Sequence, residues 1–138
     1  AAQLIIETIT LLKATDVDCN IIVMGDFNDD PSSKSLQLLT TEAGLFNPME
    51  TLHIPQSNGT SVYGGNWNLF DQVLLSNTFF NFKKGTHSFD HAAIYDHSSL
   101  KEKEGKYKGT PYRTFVADRY MGGYSDHFPV YIVLSYNP

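Results

Sequence analysis

Apolar residues occur along this chain in short runs, each bounded by polar or turn-forming residues. The first run has its leucines and isoleucines at helical intervals, without Gly or Pro, and predicts an amphipathic helix over residues 1–14. Residues 21–24 are apolar and mostly branched, which predicts a buried strand. A second helix is expected to begin at Ser32 or Ser33 and to end at Gly44. Helix, strand and helix in this order favour an α/β layered fold.

The second half of the chain has the pattern of a sheet protein. Residues 60–63 and 67–76 are separated by a Gly-Gly turn and predict a β-hairpin, so at least part of the sheet is antiparallel. Two further strands are expected, at 91–95 and in the apolar run from 130 to 134. The charged residues 100–109 predict a solvated loop.

A cluster of polar side chains follows the first predicted strand. Asp26 and Asn28 would point the same way if the strand continued one step, one as a base or metal ligand and the other as a donor to an anionic oxygen. The alternative is an ordinary turn or helix cap. A calcium loop of the EF-hand type is excluded, because Pro31 stands at the glycine position and Gln37 at the closing glutamate position.

Two more ionisable residues adjoin apolar strands. Asp71 interrupts a strand, where a carboxylate costs several kcal/mol of desolvation unless it is paired; the alternative is the polar face of an edge strand. His127 stands between Asp126 and the last apolar run. With Asp71 to orient it, His127 makes an acid/base dyad possible, and the alternative is a purely structural pair.

Composition narrows the class of protein. At 138 residues the chain is one domain's worth, and its net charge of −5 argues against a broadly basic surface for nucleic acid. Cys19 is the only cysteine, which excludes an internal disulfide. No apolar run approaches the length of a membrane span.

Three separated segments carry a resemblance to a known family. They are Gly-Asp-Phe-Asn at 25–28, Asp71 within Leu-Phe-Asp-Gln-Val-Leu-Leu-Ser, and Ser-Asp-His-Phe-Pro-Val at 125–130. In this order they resemble the three C-terminal motifs of the endonuclease/exonuclease/phosphatase family of metal-dependent phosphodiesterases and phosphomonoesterases. Residues 67–72 and 107–115 are similar to a Bacteroidetes-type subgroup, which favours a bacterial parent protein that is secreted or periplasmic.

The resemblance implies a fold and a boundary. The expected fold is α/β (α+β), the C-terminal half of a four-layered α/β/β/α sandwich with a mixed, partly antiparallel sheet. Residues 1–138 would be the C-terminal part of one domain whose N-terminal half is absent. The principal metal ligand, a glutamate, would lie upstream of Ala1, so the chain is expected to be inactive alone. An uncovered sheet face predicts self-association or pairing with the missing half.

The resemblance also implies a role for each motif residue. Asp26 would activate the attacking water, and Asn28 would bind the phosphoryl oxygens. His127 would contact the scissile phosphate, with Asp71 fixing its tautomer and orientation. Asp126 would sit in or beside the shell of a Mg²⁺ or Mn²⁺ ion, which prefers oxygen ligands.

Two arginines upstream of the last motif, Arg113 and Arg119, are candidates for clamping a substrate phosphate, or are solvated loop arginines. The substrate would be a phosphoester, either nucleic acid or a small phosphorylated molecule. The alternative function is a non-catalytic binding or structural module that retains the fold.

Overall fold

The computed structural model describes all residues 1–138 and contains two α-helices and nine strands. Helix α1 spans Ala2–Thr15 and helix α2 spans Lys34–Thr41. The strands are β1 (Ile22–Asp26), β2 (Leu45–Phe46), β3 (Ser61–Tyr63), β4 (Asn66–Asn68), β5 (Asp71–Ser76), β6 (His87–Ile94), β7 (Phe115–Val116), β8 (Arg119–Tyr120) and β9 (Val130–Tyr136). Neither helix combines the length and the hydropathy that crossing a membrane requires.

The expected α/β fold class is confirmed. Both predicted helices are present, and the strand expected at 91–95 is the end of the longer β6. Every strand pair is antiparallel, which confirms the expected antiparallel pairing, and no parallel pair is present. The charged segment 100–109 is a loop, as predicted; a 3₁₀ turn ends at its first residue, Leu100, and another spans Gly105–Tyr107.

Strand β5 is the centre of the molecule. It lies between β1 and β2 in a three-stranded sheet, and residues 72–76 are all buried. Helices α1 and α2 cover one face of this sheet, where Ile9 and Leu39 pack with Leu74. Burying a side chain of this size stabilises the fold by about 1.5–3 kcal/mol.

A second sheet covers the other face of β5. Strands β6 and β9 pair along their length, and their residues Ala92 and Ile132 pack against Val73 and the buried Met49. The chain therefore forms three layers: helices, the β1-β5-β2 sheet and the β6-β9 sheet.

Strand β1 departs from the sequence prediction. It was expected to be buried, but Ile22 is 42% exposed and Met24 is 74% exposed. The reason is that β1 is an edge strand with β5 as its one neighbour, and alternation places both side chains on a face that no element covers.

The predicted hairpin is also different in extent. Strands β3 and β4 form a hairpin around the expected Gly-Gly turn, but β4 ends at Asn68 and a new strand, β5, begins at Asp71. At Leu69 and Phe70 the chain passes into the central sheet, where β5 pairs with β1 instead of β3. Asp71 therefore lies on a central strand, and the edge-strand interpretation of this residue is wrong.

Candidate active site

Asp26 and Asn28 lie where β1 ends. The antiparallel register places Asp26 directly opposite Asp71 of β5. The strand does not continue to Asn28, which has a left-handed backbone (φ 50°) and donates its N–H to Asp26 Oδ1 at 2.9 Å. This is an Asx turn, so the turn interpretation is correct locally. Both side chains are exposed, and their carboxylate and amide groups face solvent beside the sheet.

The turn after β1 is held to the rest of the molecule by two aspartates. Asp30 Oδ1 accepts the N–H of Leu69 at 2.6 Å, and Asp29 accepts a hydrogen bond from Ser35 in α2. The backbone N–H of Phe27 donates to Phe70 O at 2.8 Å. These contacts fix the approach of the chain to β5, just before Asp71.

Gln72 is a buried polar residue beside Asp71. Its amide nitrogen donates to the carbonyls of Asp29 (3.2 Å) and Leu69, and its oxygen accepts from Asn47 Nδ2 at 3.1 Å. Because a buried amide is costly unless its groups are paired, this network locks the start of β5 against the turn that carries Asp26.

Asp71 and His127 form the closest pair in the site. His127 Nδ1 lies 2.7 Å from Asp71 Oδ2, and both side chains are about one-fifth exposed. Since an ionised carboxylate only accepts hydrogen bonds, Nδ1 is the donor. The tautomer is thereby fixed, and Nε2 is left without a protein partner.

The backbone around His127 is anchored on both sides. The N–H of His127 donates to Ser125 Oγ at 3.1 Å, and the N–H of Phe128 donates to Thr60 O at 2.8 Å. Phe128 is buried, and its ring stacks on Trp67 with a centroid separation of 5.9 Å. The imidazole is therefore presented from a rigid segment.

The environment favours the protonated form of His127. Its hydrogen bond to Asp71 raises the pKa of His127 above the ordinary value of 6.5. Partial burial of the ring lowers the pKa, but the negative charges of Asp126 and Asp26 raise it further. A cationic imidazole beside a carboxylate suits contact with a phosphate.

Asp126 and Arg113 lie at the exposed side of this pair. Arg113 Nη1 is 4.0 Å from Asp126 Oδ2, and Arg113 Nη2 donates to Val62 O at 3.2 Å. Both side chains are partly exposed, so their ion pair itself contributes little stability. Arg119 lies apart from this group, exposed on β8, and forms no salt bridge.

The chain does not complete a metal site by itself. No three side chains among its histidines, cysteines, aspartates and glutamates come close enough together to hold an ion. Asp126 offers one exposed carboxylate, with Asp26 as a second acidic group near His127. Two carboxylates are too few ligands to bind a divalent metal ion by themselves.

The structure thus brings together Asp26, Asp71, Asp126 and His127, with Asn28 and Arg113 beside them. Sequence reasoning missed the supporting residues Gln72, Asp30 and Trp67. Gln72 carried a usable signal, because an amide in an otherwise apolar strand implies a buried partner. Asp30 and Trp67 carried no such signal, since their contacts join distant segments.

Comparison with known proteins gives the class of this chain. The model of the Endonuclease/Exonuclease/phosphatase family matches residues 1–136, so the chain belongs to that family. Membership of this family indicates a phosphoester hydrolase, without naming the substrate. The family generally uses a divalent metal ion. No curated protein and no solved structure matches the chain significantly.

Proposed function

We propose that this chain carries the phosphate-contacting half of the active site of a metal-dependent phosphoester hydrolase. The observation that supports this most is the 2.7 Å hydrogen bond between His127 and Asp71, with Asp26 opposite Asp71 across the sheet. An imidazole with a raised pKa and a solvent-facing carboxylate thus flank the same edge of the sheet. Hydrolysis of a phosphoester needs these two functions, a base for water and a cation for the phosphate.

In the proposed reaction, Asp26 takes a proton from water as the water oxygen bonds to phosphorus. The bond between phosphorus and the alcohol oxygen breaks, and the departing alcohol leaves with a proton from solvent. His127 stabilises the charge on the phosphoryl oxygens, and Asp71 positions its ring. Asn28 donates to a phosphoryl oxygen from its turn beside Asp26.

Three further acidic and basic side chains, Asp126, Arg113 and Arg119, take part in binding. Asp126 is one ligand of a Mg²⁺ or Mn²⁺ ion, with further ligands outside these 138 residues, and such an ion supplies positive charge to the phosphate when bound. Arg113 and, further away, Arg119 bind substrate phosphate. Residues 1–138 are proposed to be the C-terminal part of one domain, with low activity alone.

The test is hydrolysis of bis-p-nitrophenyl phosphate with Mg²⁺ or Mn²⁺, by this chain and by a longer chain that continues upstream of Ala1. His127→Ala is expected to lower kcat by about 10²–10⁴-fold in whichever chain is active. The matched control is His97→Ala, at an exposed histidine outside the site. Equal activity of the His127→Ala variant and the wild type would refute the proposal.

The second candidate is a non-catalytic binding or structural module. The absence of three candidate metal ligands in one place favours it. Turnover that depends on both the metal and His127 argues for the enzyme, whereas phosphoester binding without turnover in either chain argues for the module.

A further inference from the structure

A cavity of about 730 Å³ lies between the β3–β4 hairpin and the segment that runs from Glu102 to Met121. This volume is in the range of sites for small organic molecules. Its wall combines three aromatic side chains with three charged ones: Tyr63, Trp67, Tyr107, Glu102, Lys106 and Arg113. Tyr63 and Tyr107 take no part in the chemistry described above.

The cavity adjoins the candidate active site through two shared residues. Arg113 lines the cavity and approaches Asp126, the neighbour of His127, to 4.0 Å. Trp67 lines the cavity and stacks on Phe128, the other neighbour of His127. A molecule with its phosphate at His127 would therefore extend its organic part past Arg113 into the cavity.

Backbone contacts hold the Arg113 wall in place. Gly123 donates its N–H to Arg113 O at 3.2 Å, and Met121 donates to Thr114 O at 2.8 Å. A Cβ at position 123 would overlap the carbonyl of Tyr112 and lie 2.6 Å from Arg113 O. The segment before His127 is therefore packed directly against the segment that carries Arg113.

The lining indicates the chemistry of the occupant. Tyr63 and Tyr107 are 81% and 60% exposed, and Lys106 Nζ lies 5.5 Å from the centre of the Tyr107 ring on one face. The Tyr63 ring and the other face of the Tyr107 ring are open to a ligand. Aromatic faces bind planar rings by stacking. Six of the 13 lining residues are hydrophobic, so an apolar ring finds contact surface between the charged side chains.

We propose that this cavity is the specificity pocket of the site and binds a planar aromatic ring carried by the phosphoester, with the phosphate on the Arg113 side. This inference rests on the proposed function, because it takes the phosphate to lie at His127. Arg113 and Lys106 outnumber Glu102 among the charged lining residues, and this excess of positive charge suits the anionic end of such a ligand.

Trp67 is the only tryptophan of the chain, so its fluorescence reports on the cavity directly. The experiment titrates the 138-residue chain, in EDTA, with adenosine 5′-monophosphate, with ribose 5-phosphate and with inorganic phosphate. Saturable quenching is expected with adenosine 5′-monophosphate at concentrations where the two ring-free phosphates have no effect. Tyr107→Ala is expected to weaken this binding by about tenfold, the usual effect of losing one stacking partner.

Tyr95→Ala is the matched control, since Tyr95 is an exposed tyrosine outside the cavity lining, and it should leave the affinity unchanged. Equal affinity for adenosine 5′-monophosphate and ribose 5-phosphate would overturn the proposal, as would unchanged affinity in Tyr107→Ala. Because binding is measured without metal or turnover, loss of the proposed hydrolysis does not alter this result. If the chain hydrolyses phosphoesters but binds adenosine 5′-monophosphate and ribose 5-phosphate equally well, the proposed function stands and the specificity pocket is refuted.

Discussion

His127 and Asp71 are 56 positions apart in sequence, and a 2.7 Å hydrogen bond joins their side chains. Neither side chain is fully buried, so the desolvation cost of the pair is modest. The pair stabilises the positive imidazolium, which is the form that a phosphate group contacts best. At the scale of residues, the pKa of His127 is therefore the most direct measure of whether the His127–Asp71 pair has formed.

Asp71→Asn is expected to lower the pKa of His127 toward the ordinary value, because it removes the largest favourable contribution, the charged hydrogen bond. The measurement is an NMR pH titration of the His127 ring. Asp126→Asn serves as the control, with a smaller decrease expected, since that charge acts without a hydrogen bond. An unchanged midpoint in Asp71→Asn would show that the pair does not form in solution.

The raised pKa of His127 also makes the free energy of unfolding depend on pH. A raised folded-state pKa means that the pair's contribution is complete below the unfolded pKa, about 6.5, and is lost as pH rises through the folded value. The stability difference between wild type and Asp71→Asn should therefore shrink as pH increases from about 6 to about 8.

Gln72 ties strand β5 to the turn after β1 and to the loop that carries Asn47. Gln72→Leu is expected to cost about 1–3 kcal/mol of unfolding free energy, because it leaves buried partners of the amide unsatisfied. Urea unfolding measures this. Gln37→Leu is the control on the exposed surface of α2, where little change is expected. Equal losses in the two variants would contradict a role for the network.

At the scale of elements, the site depends on segments that are laid side by side. The antiparallel register places Asp26 of β1 opposite Asp71 of β5. His127, in the segment before β9, contacts the same aspartate. The segment around Arg113 is attached to the last motif through Gly123. Movement of any one of these segments separates the charges that the site brings together.

Gly123→Ala is expected to destabilise the fold by more than about 1 kcal/mol, because the new methyl group overlaps backbone atoms of Tyr112 that cannot move aside alone. Thermal or urea unfolding measures the loss. Gly65→Ala is the control: its positive φ makes alanine strained by about 1 kcal/mol, but no atom lies near the new methyl group. A smaller loss at Gly123 than at Gly65 would contradict the close packing.

At the scale of the whole molecule, much apolar surface is uncovered. The chain exposes 8696 Å², whereas a compact monomer of 15.5 kDa exposes about 7200 Å². Leu4, Leu11 and Met24 are each more than two-thirds exposed, and the outer edge of β1 has no partner strand. Such a surface favours association with other apolar surfaces.

The isolated chain is therefore expected to self-associate, with a mass above 15.5 kDa in sedimentation or light scattering. Met24→Glu should shift the equilibrium toward the monomer, because it places a charge on the uncovered face of β1. Val17→Glu is the control, at an exposed residue in the loop between α1 and β1. A monomer at every concentration of the wild-type chain would contradict this prediction.

The sequence by itself determined the local elements and the family. Helices, the Gly-Gly turn and the runs of strand residues follow from periodicity and turn chemistry, which act over a few neighbouring residues. Three ordered motifs were enough to indicate the family. The sequence did not predict that residues 67–76 form two strands, β4 and β5, or that Ile22 and Met24 are exposed. Both features depend on which strands become neighbours.

Only the tertiary structure decided that Asp71 belongs to a central strand, that it lies opposite Asp26 and that its carboxylate reaches His127. It also decided that Trp67 and Arg113 enclose a cavity beside the same site. These relations join residues far apart in the chain, and their register is set by packing against β5. Local pattern carries no information on such register, because the free energy that selects it comes from the assembled core.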